Sequence, residues 1–234
     1  MMWSWIPGNV GLIRQLTLEN TYLGVVPALL GLAISLPLGI LCVRFGWLYP
    51  PTLSATSVVY ALPSLALFVA LIPYTGLSDT TVIVPLTLFS LCVLVPNVVD
   101  GLRSVPTPVT QAATAMGFGP LRRLVQVELP LAIPVVIAGL RVAIVSSISL
   151  ASVGQLIGVS SLGYLLVDGY QRDFPTEIII GLVLVILLAL VCDLLLVITR
   201  RLLTPWLRAR TTADARAQVA SSVPERAETA GMPS

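Results

Sequence analysis

Five stretches of the chain carry apolar side chains at nearly every position: about Tyr22–Val43, Leu53–Ile72, Thr80–Val99, Leu131–Ser152 and Ile178–Ile198. Each is near the roughly 20 apolar residues that a helix needs to cross the hydrocarbon of a bilayer. The pattern therefore predicts an all-α, polytopic membrane protein of about five transmembrane helices. Charge closes the stretches, with Arg44 after the first, Asp100 and Arg103 after the third, and Arg200-Arg201 after the fifth. Residues 1–20 are mixed: Trp3 and Trp5 suit an interface, and Arg14 and Glu19 fall on a short amphipathic segment. Residues 209–234 are rich in Ala, Thr, Ser, Glu and Arg with no apolar period, the composition of a disordered tail. The expected organisation is an extracytoplasmic or interfacial segment (1–20), a transmembrane domain (21–203) and a cytoplasmic tail (204–234).

One long segment, Pro106 to Pro134, is neither apolar enough for lipid nor polar enough for a tail. Thr107 is placed to cap a helix with Pro108 at its first position, where a missing N–H costs nothing. The run Gln111-Ala112-Ala113-Thr114-Ala115 continues that helix. Gly117 and Gly119-Pro120 break it, since glycine allows a positive φ and proline cannot continue a helix from within. A second short helix is expected over Leu121–Glu128, ended by Leu129-Pro130. Such a helix–turn–helix between membrane spans has the shape of a knob offered to another protein; the plainer alternative is an amphipathic surface hairpin.

Arginine placement orients the spans. Arg44, Arg103, Arg122, Arg123, Arg200, Arg201, Arg208 and Arg210 fall on one side, against Asp79, Asp168, Arg172, Asp173 and Glu177 on the other. By the positive-inside bias the N-terminus is outside, and the C-terminus and the 107–128 hairpin are cytoplasmic.

Composition removes several chemistries. Hydrophobic residues make up 56% of the chain and charged ones 10%, against about 25% charged in a soluble domain. There is no histidine, and every basic residue is arginine, which excludes imidazole acid–base work, His metal ligation and lysine Schiff bases. Cys42, Cys92 and Cys192 lie in separate apolar runs without metal spacing. A net charge of +2 gives no case for nucleic acid. No cleavable signal is evident at the N-terminus. The G-x-x-x-x-G-K-[ST] phosphate loop is missing, and no paired carboxylate constellation suggests an enzyme.

Gln111-Ala112-Ala113, three residues, Gly117, nine residues, then Val127-Glu128-Leu129-Pro130 resembles, in type and spacing, the "EAA" loop of ABC-importer membrane subunits of the MetI-like superfamily. The leading Glu of that loop is Gln111 here, which removes a charge. The resemblance implies that Gln111, Ala112, Ala113, Gly117, Arg122, Arg123, Glu128, Leu129 and Pro130 couple the spans to a cytoplasmic ATPase. Further segments look like those of permeases for glycine betaine, choline, carnitine or proline. They are Ala61-Leu62-Pro63-Ser64-Leu65-Ala66-Leu67, Val95-Pro96-Asn97-Val98-Val99-Asp100-Gly101-Leu102, Gly139-Leu140-Arg141-Val142-Ala143 and the Ala115-Met116-Gly117 turn. That family's I-G-x-G-G-L-G reads Ile157-Gly158-Val159-Ser160-Ser161-Leu162-Gly163 here, with two serines for two glycines.

The resemblance further implies a bacterial cytoplasmic (inner) membrane location, two ATPase subunits, a second permease subunit (identical or paralogous) and an extracytoplasmic solute-binding protein. ATP would be bound by the ATPase and no cofactor or metal by this chain. The runner-up is a permease for amino acids such as methionine. A self-contained secondary carrier is disfavoured, since only one charge falls at mid-span.

Candidate pathway residues are Tyr60, Pro63, Ser64, Asn97 and Arg141. Arg141 lies within the fourth span and reads as pathway-lining, as an ion pair with Asp193 or Asp100, or as snorkelling to the interface. Tyr60, ahead of the proline-bent segment, offers a ring face to a quaternary ammonium and a hydroxyl; ordinary packing is the competing reading for it, as for Phe68 and Phe89. The loop aromatics Tyr164, Tyr170 and Phe174 fall on the outer side, where a binding protein would dock.

Overall fold

The computed structural model describes residues 5–204, all of the regular structure being helical among them. The expectations for Trp3, Arg208, Arg210 and the tail lie outside the described residues. A single turn, α1 (Trp5–Gly8), precedes α2 (Val10–Arg44), and α3 (Tyr49–Ala61) and α4 (Ser64–Thr75) follow. Then come α5 (Asp79–Arg103), the short helices α6 (Thr107–Ala115) and α7 (Pro120–Arg123), and α8 (Leu129–Ala151). A 3-10 segment (Ser152–Ile157) leads to α9 (Gly163–Gln171) and α10 (Pro175–Leu203).

Among the described residues four single helices are long and apolar enough to cross a membrane: α2, α5, α8 with its continuations, and α10. The second expected span, Leu53–Ile72, is instead a bent pair. Helices α3 and α4 pass the same test only together, and they meet at 92°. Pro63 is the cause, because its ring forces the preceding Leu62 out of the helical region (φ −75°, ψ 136°) and ends α3. At about 1.5 Å per residue neither half reaches across the hydrocarbon alone.

Within the expected N-terminal segment (1–20), residues from Val10 onward are continuous with the first span as the opening turns of α2, a helix of 35 residues. Leu16 and Asn20, at 2% and 0% exposure, belong to the interior of the bundle. Thr107, expected to cap α6, is the first residue of that helix, and Pro106 is its cap.

Helices α2, α5 and α8 form the centre. Small residues let them approach: a Cβ on Gly24 would stand 2.5 Å from Ile148, on Gly31 2.7 Å from Ser90, and on Gly39 2.5 Å from Val98. Among lipid-like neighbours, close backbone packing of this sort holds helices together where hydrophobic transfer cannot. Leu23, Phe68, Val82, Leu86 and Phe89 fill one end of the core; Val98, Leu102 and Ala132 fill the other. Helix α10 leans on α8 with only 17% of its most apolar stretch buried. Leu182, Val183, Ile186, Leu187, Leu190 and Leu194 are all more than half exposed, a surface for hydrocarbon.

Candidate coupling hairpin and translocation residues

The segment between α5 and α8 folds as a hairpin braced by its own side chains. At the end of α6, Gly117 adopts φ +82°. Gly117 N–H donates to Thr114 C=O at 3.0 Å and Phe118 N–H to Ala113 C=O at 3.1 Å, the two bonds of a Schellman closure. A Cβ at Gly117 would meet nothing within 4 Å, so the positive φ, not crowding, demands glycine there. Across the turn, Arg123 donates to Thr114 Oγ1 at 3.1 Å and pairs with Glu128 at 2.8 Å. Arg122 stacks on Phe118 at 4.5 Å and donates to Gln126 Oε1 at 3.0 Å. Ala113 is buried, whereas Gln111, Ala112, Gly117 and Arg122 are exposed, with Met116 and Leu121 at 69% and 73%. The result is a rigid knob with an apolar, open tip.

The second arm does not stop at Leu129-Pro130, as its sequence suggests. Leu124–Glu128 is a π turn through which α7 runs into α8 without a break, and Leu129 N–H donates to Leu124 C=O. Pro130 explains this. It has no N–H for the carbonyl four residues back, and in α geometry its ring would strike that carbonyl; the wider π turn makes room. The knob is therefore a rigid extension of α8.

Expected pathway residues divide into three places. Tyr60 (59% exposed), Pro63 and Ser64 surround the α3–α4 bend, and the Tyr60 ring meets Phe89 edge-on, 6.0 Å between centroids. Asn97 on α5 donates to its own Val93 C=O at 2.8 Å and packs where Gly139 of α8 crosses, a Cβ there standing 2.6 Å away. Arg141 makes two hydrogen bonds of 2.7 Å each to the two oxygens of Asp193. Of the two acids, the partner of Arg141 is Asp193, while Asp100 is exposed. Side-chain exposures of 31% and 29% leave the pair open on one side.

Comparison with known proteins follows from this arrangement. Residues 35–209 match the model of the family described as "binding-protein-dependent transport system inner membrane component". The chain belongs to this family. It is a transmembrane permease component of an ABC transport system. Among curated relatives, the osmoprotectant import permease protein OsmW of Salmonella typhimurium is 34% identical over 202 residues, 84% of this chain and 94% of that one. The glycine betaine/carnitine/choline transport system permease protein OpuCD of Bacillus subtilis is 33% identical, over 84% and 86%. Both are permeases rather than enzymes. An inward-facing structure of the MetNI methionine ABC transporter superposes with a TM-score of 0.73 at 23% identity, covering 83% of this chain and 97% of that one. At that identity the likeness speaks for the fold.

Two features of the permease escaped the sequence. Asn20 is fully buried, donating to Ile148 C=O at 3.3 Å and accepting from Ser152 Oγ and Leu162 N–H, both at 3.3 Å. It ties α2 to the end of α8 and the approach to α9. Helix α9 itself was expected to be loop, because only Leu162 and Leu165 mark its buried face and two glycines, Gly163 and Gly169, do the rest.

Proposed function

We propose that this chain is the translocating subunit of an ATP-driven importer for an osmoprotectant such as glycine betaine, choline, carnitine or proline. A separate extracytoplasmic protein delivers the solute. The named relatives support the substrate class, since OsmW and OpuCD both align with most of the chain. The observation that carries the mechanism is the braced hairpin at residues 107–128, exposed at its tip and continuous with α8. A knob that is rigid with respect to a membrane helix transmits displacement, where a floppy loop absorbs it. Two ATPase subunits closing on ATP would push two such knobs, one from this chain and one from a second permease subunit, identical or paralogous. ATP and its hydrolysis belong to the motor; this chain would bind no cofactor or metal.

In this reading the hairpin side is cytoplasmic and the N-terminus outside, with the α3–α4 pair crossing as a broken fifth span. The arginines at the ends of α2, α5 and α10 favour that orientation. Exposed Tyr170 on α9 then faces the binding protein, while Tyr164, expected beside it, packs against the Leu162 and Leu165 cluster. Tyr60, Pro63 and Ser64 at the bend and Asn97 at the α5–α8 crossing are the residues proposed to line the path, and Arg141 is assigned to orienting α8 against α10. Gln111, Ala112, Ala113, Gly117, Arg122, Arg123, Glu128, Leu129 and Pro130 form or support the docking knob.

The test is uptake of labelled glycine betaine, choline, carnitine, proline and methionine by proteoliposomes holding the permease, its ATPase and its binding protein. Uptake of one of the first four that requires ATP is the expected result. Gly117→Pro and Ala113→Glu should lower solute-stimulated ATP hydrolysis at least tenfold while the subunit stays assembled. Undiminished uptake in both variants sinks the coupling role; ATP-independent uptake by the permease alone sinks the importer reading.

A further inference from the structure

Phe45 and Trp47, just past the end of α2, are 46% and 75% exposed, and Arg103 lies over the Tyr49 ring at 4.9 Å. Aromatic side chains gathered where an apolar helix ends mark the depth of the lipid headgroups. At that level the end of α2 and the second arm of the hairpin leave two adjoining cavities, of about 400 and 530 Å³, which share Arg44, Pro120 and Leu121. Ile40, Val43, Leu121 and Leu124 give them aliphatic walls.

The charge at the rim is unbalanced. Among the described residues neither Arg44 nor Arg122 forms an ion pair. Arg44 lies 5.8 Å from the Phe45 ring centroid, and Arg122 engages the neutral Gln126 and the face of Phe118. The one carboxylate lining the cleft, Glu128, is held by Arg123, and that pair carries no net charge. Two guanidinium groups thus stand over an aliphatic recess at headgroup depth. A free phosphate would gain nothing from the walls, and a zwitterionic lipid would leave the cationic excess uncompensated. A headgroup phosphate with net negative charge and acyl chains meets both requirements, with bidentate bonding open to each arginine.

We propose that this cleft binds an anionic phospholipid, its phosphate between Arg44 and Arg122 and an acyl chain along Ile40, Val43 and Leu121. Such a lipid would join the end of α2 to the coupling hairpin. The proposal does not depend on the solute; because Arg122 and Leu121 also belong to the proposed docking knob, a cleft covered by the ATPase is its competing outcome.

Native mass spectrometry of the full-length permease from mixed micelles of phosphatidylglycerol and phosphatidylcholine tests it. Phosphatidylglycerol should be retained selectively, and less so as salt is raised. Arg44→Gln and Arg122→Gln should each weaken retention about fivefold, Arg44→Lys should keep most of it, and Arg200→Gln, basic and on the same side, should leave it unchanged. Equal retention of the two lipids overturns the proposal, as does an Arg200→Gln loss equal to that of Arg44→Gln. Displacement of the lipid by glycerol phosphate at equal concentration would make this a small-anion site and overturn it too. Protection of a Leu121→Cys thiol by the ATPase, with no lipid preference, would assign the cleft to the motor instead. If Arg44→Gln fails to fold, the wild-type competition and the Arg122→Gln arm decide.

Discussion

Arg141 sits within α8, and both its hydrogen bonds to Asp193 measure 2.7 Å. An isolated guanidinium in hydrocarbon is expensive, and so is a carboxylate left behind when its partner is removed. Arg141→Ala should therefore destabilise the detergent-solubilised protein by about 1–2 kcal/mol, less than for a fully buried pair, whereas Arg141→Met with Asp193→Leu should recover most of that. A thermal-unfolding double-mutant cycle reads the coupling; additive single losses would show that the two side chains do not act together. Asn20→Leu leaves Ser152 Oγ and the Leu162 N–H without their shared acceptor, for a loss of about 2 kcal/mol in the same assay. The two residues differ in legibility. A charge inside an apolar run announces itself in one dimension, and Arg141 had only two plausible acids. Asn20 lies among ordinary polar residues near Glu19 and Thr21, and its partners are more than a hundred positions away.

Local chemistry set most element boundaries. Gly117 and Gly119-Pro120 announced the hairpin turn, and Pro63 announced the bend, because both act through the φ and ψ of one or two residues. The same chemistry misled at Pro130, where a terminating proline was accommodated by a π turn. That outcome depends on whether neighbouring packing holds the helix together, which no dipeptide records. Pro130→Ala removes the reason for the wide turn. Relaxation to α geometry would rotate the knob about the α8 axis, so ATP-driven uptake should fall severalfold while assembly and thermal stability stay within about 0.5 kcal/mol of wild type. Full uptake by that variant would mean the π turn is not needed to aim the hairpin.

At the scale of the molecule, the exposed aliphatic surface of α10 and the open faces of α2 require hydrocarbon around the bundle. Sidedness is checked with single cysteines in a background lacking Cys42, Cys92 and Cys192. In right-side-out vesicles a membrane-impermeant maleimide should label Tyr170→Cys and not Thr110→Cys, and in inverted vesicles the reverse. Labelling of both from one side would mean that α8 does not cross, whereas Gly11→Cys labelled from the same side as Thr110→Cys would mean that the α3–α4 pair re-enters rather than crosses.

Hydrophobic run length and the spacing around Gly117 sufficed to determine the all-helical membrane class and the place of the hairpin along the chain. These properties depend on transfer of side chains to lipid and on backbone preferences within a few residues, and both are written along the chain. Tertiary structure alone decided the 92° angle between α3 and α4, the choice of Asp193 over Asp100, the threefold role of Asn20 and the union of hairpin and α8. Each of these rests on contacts between helices distant in sequence or on packing that tolerates a locally disfavoured turn, and such contacts exist only once the helices have met.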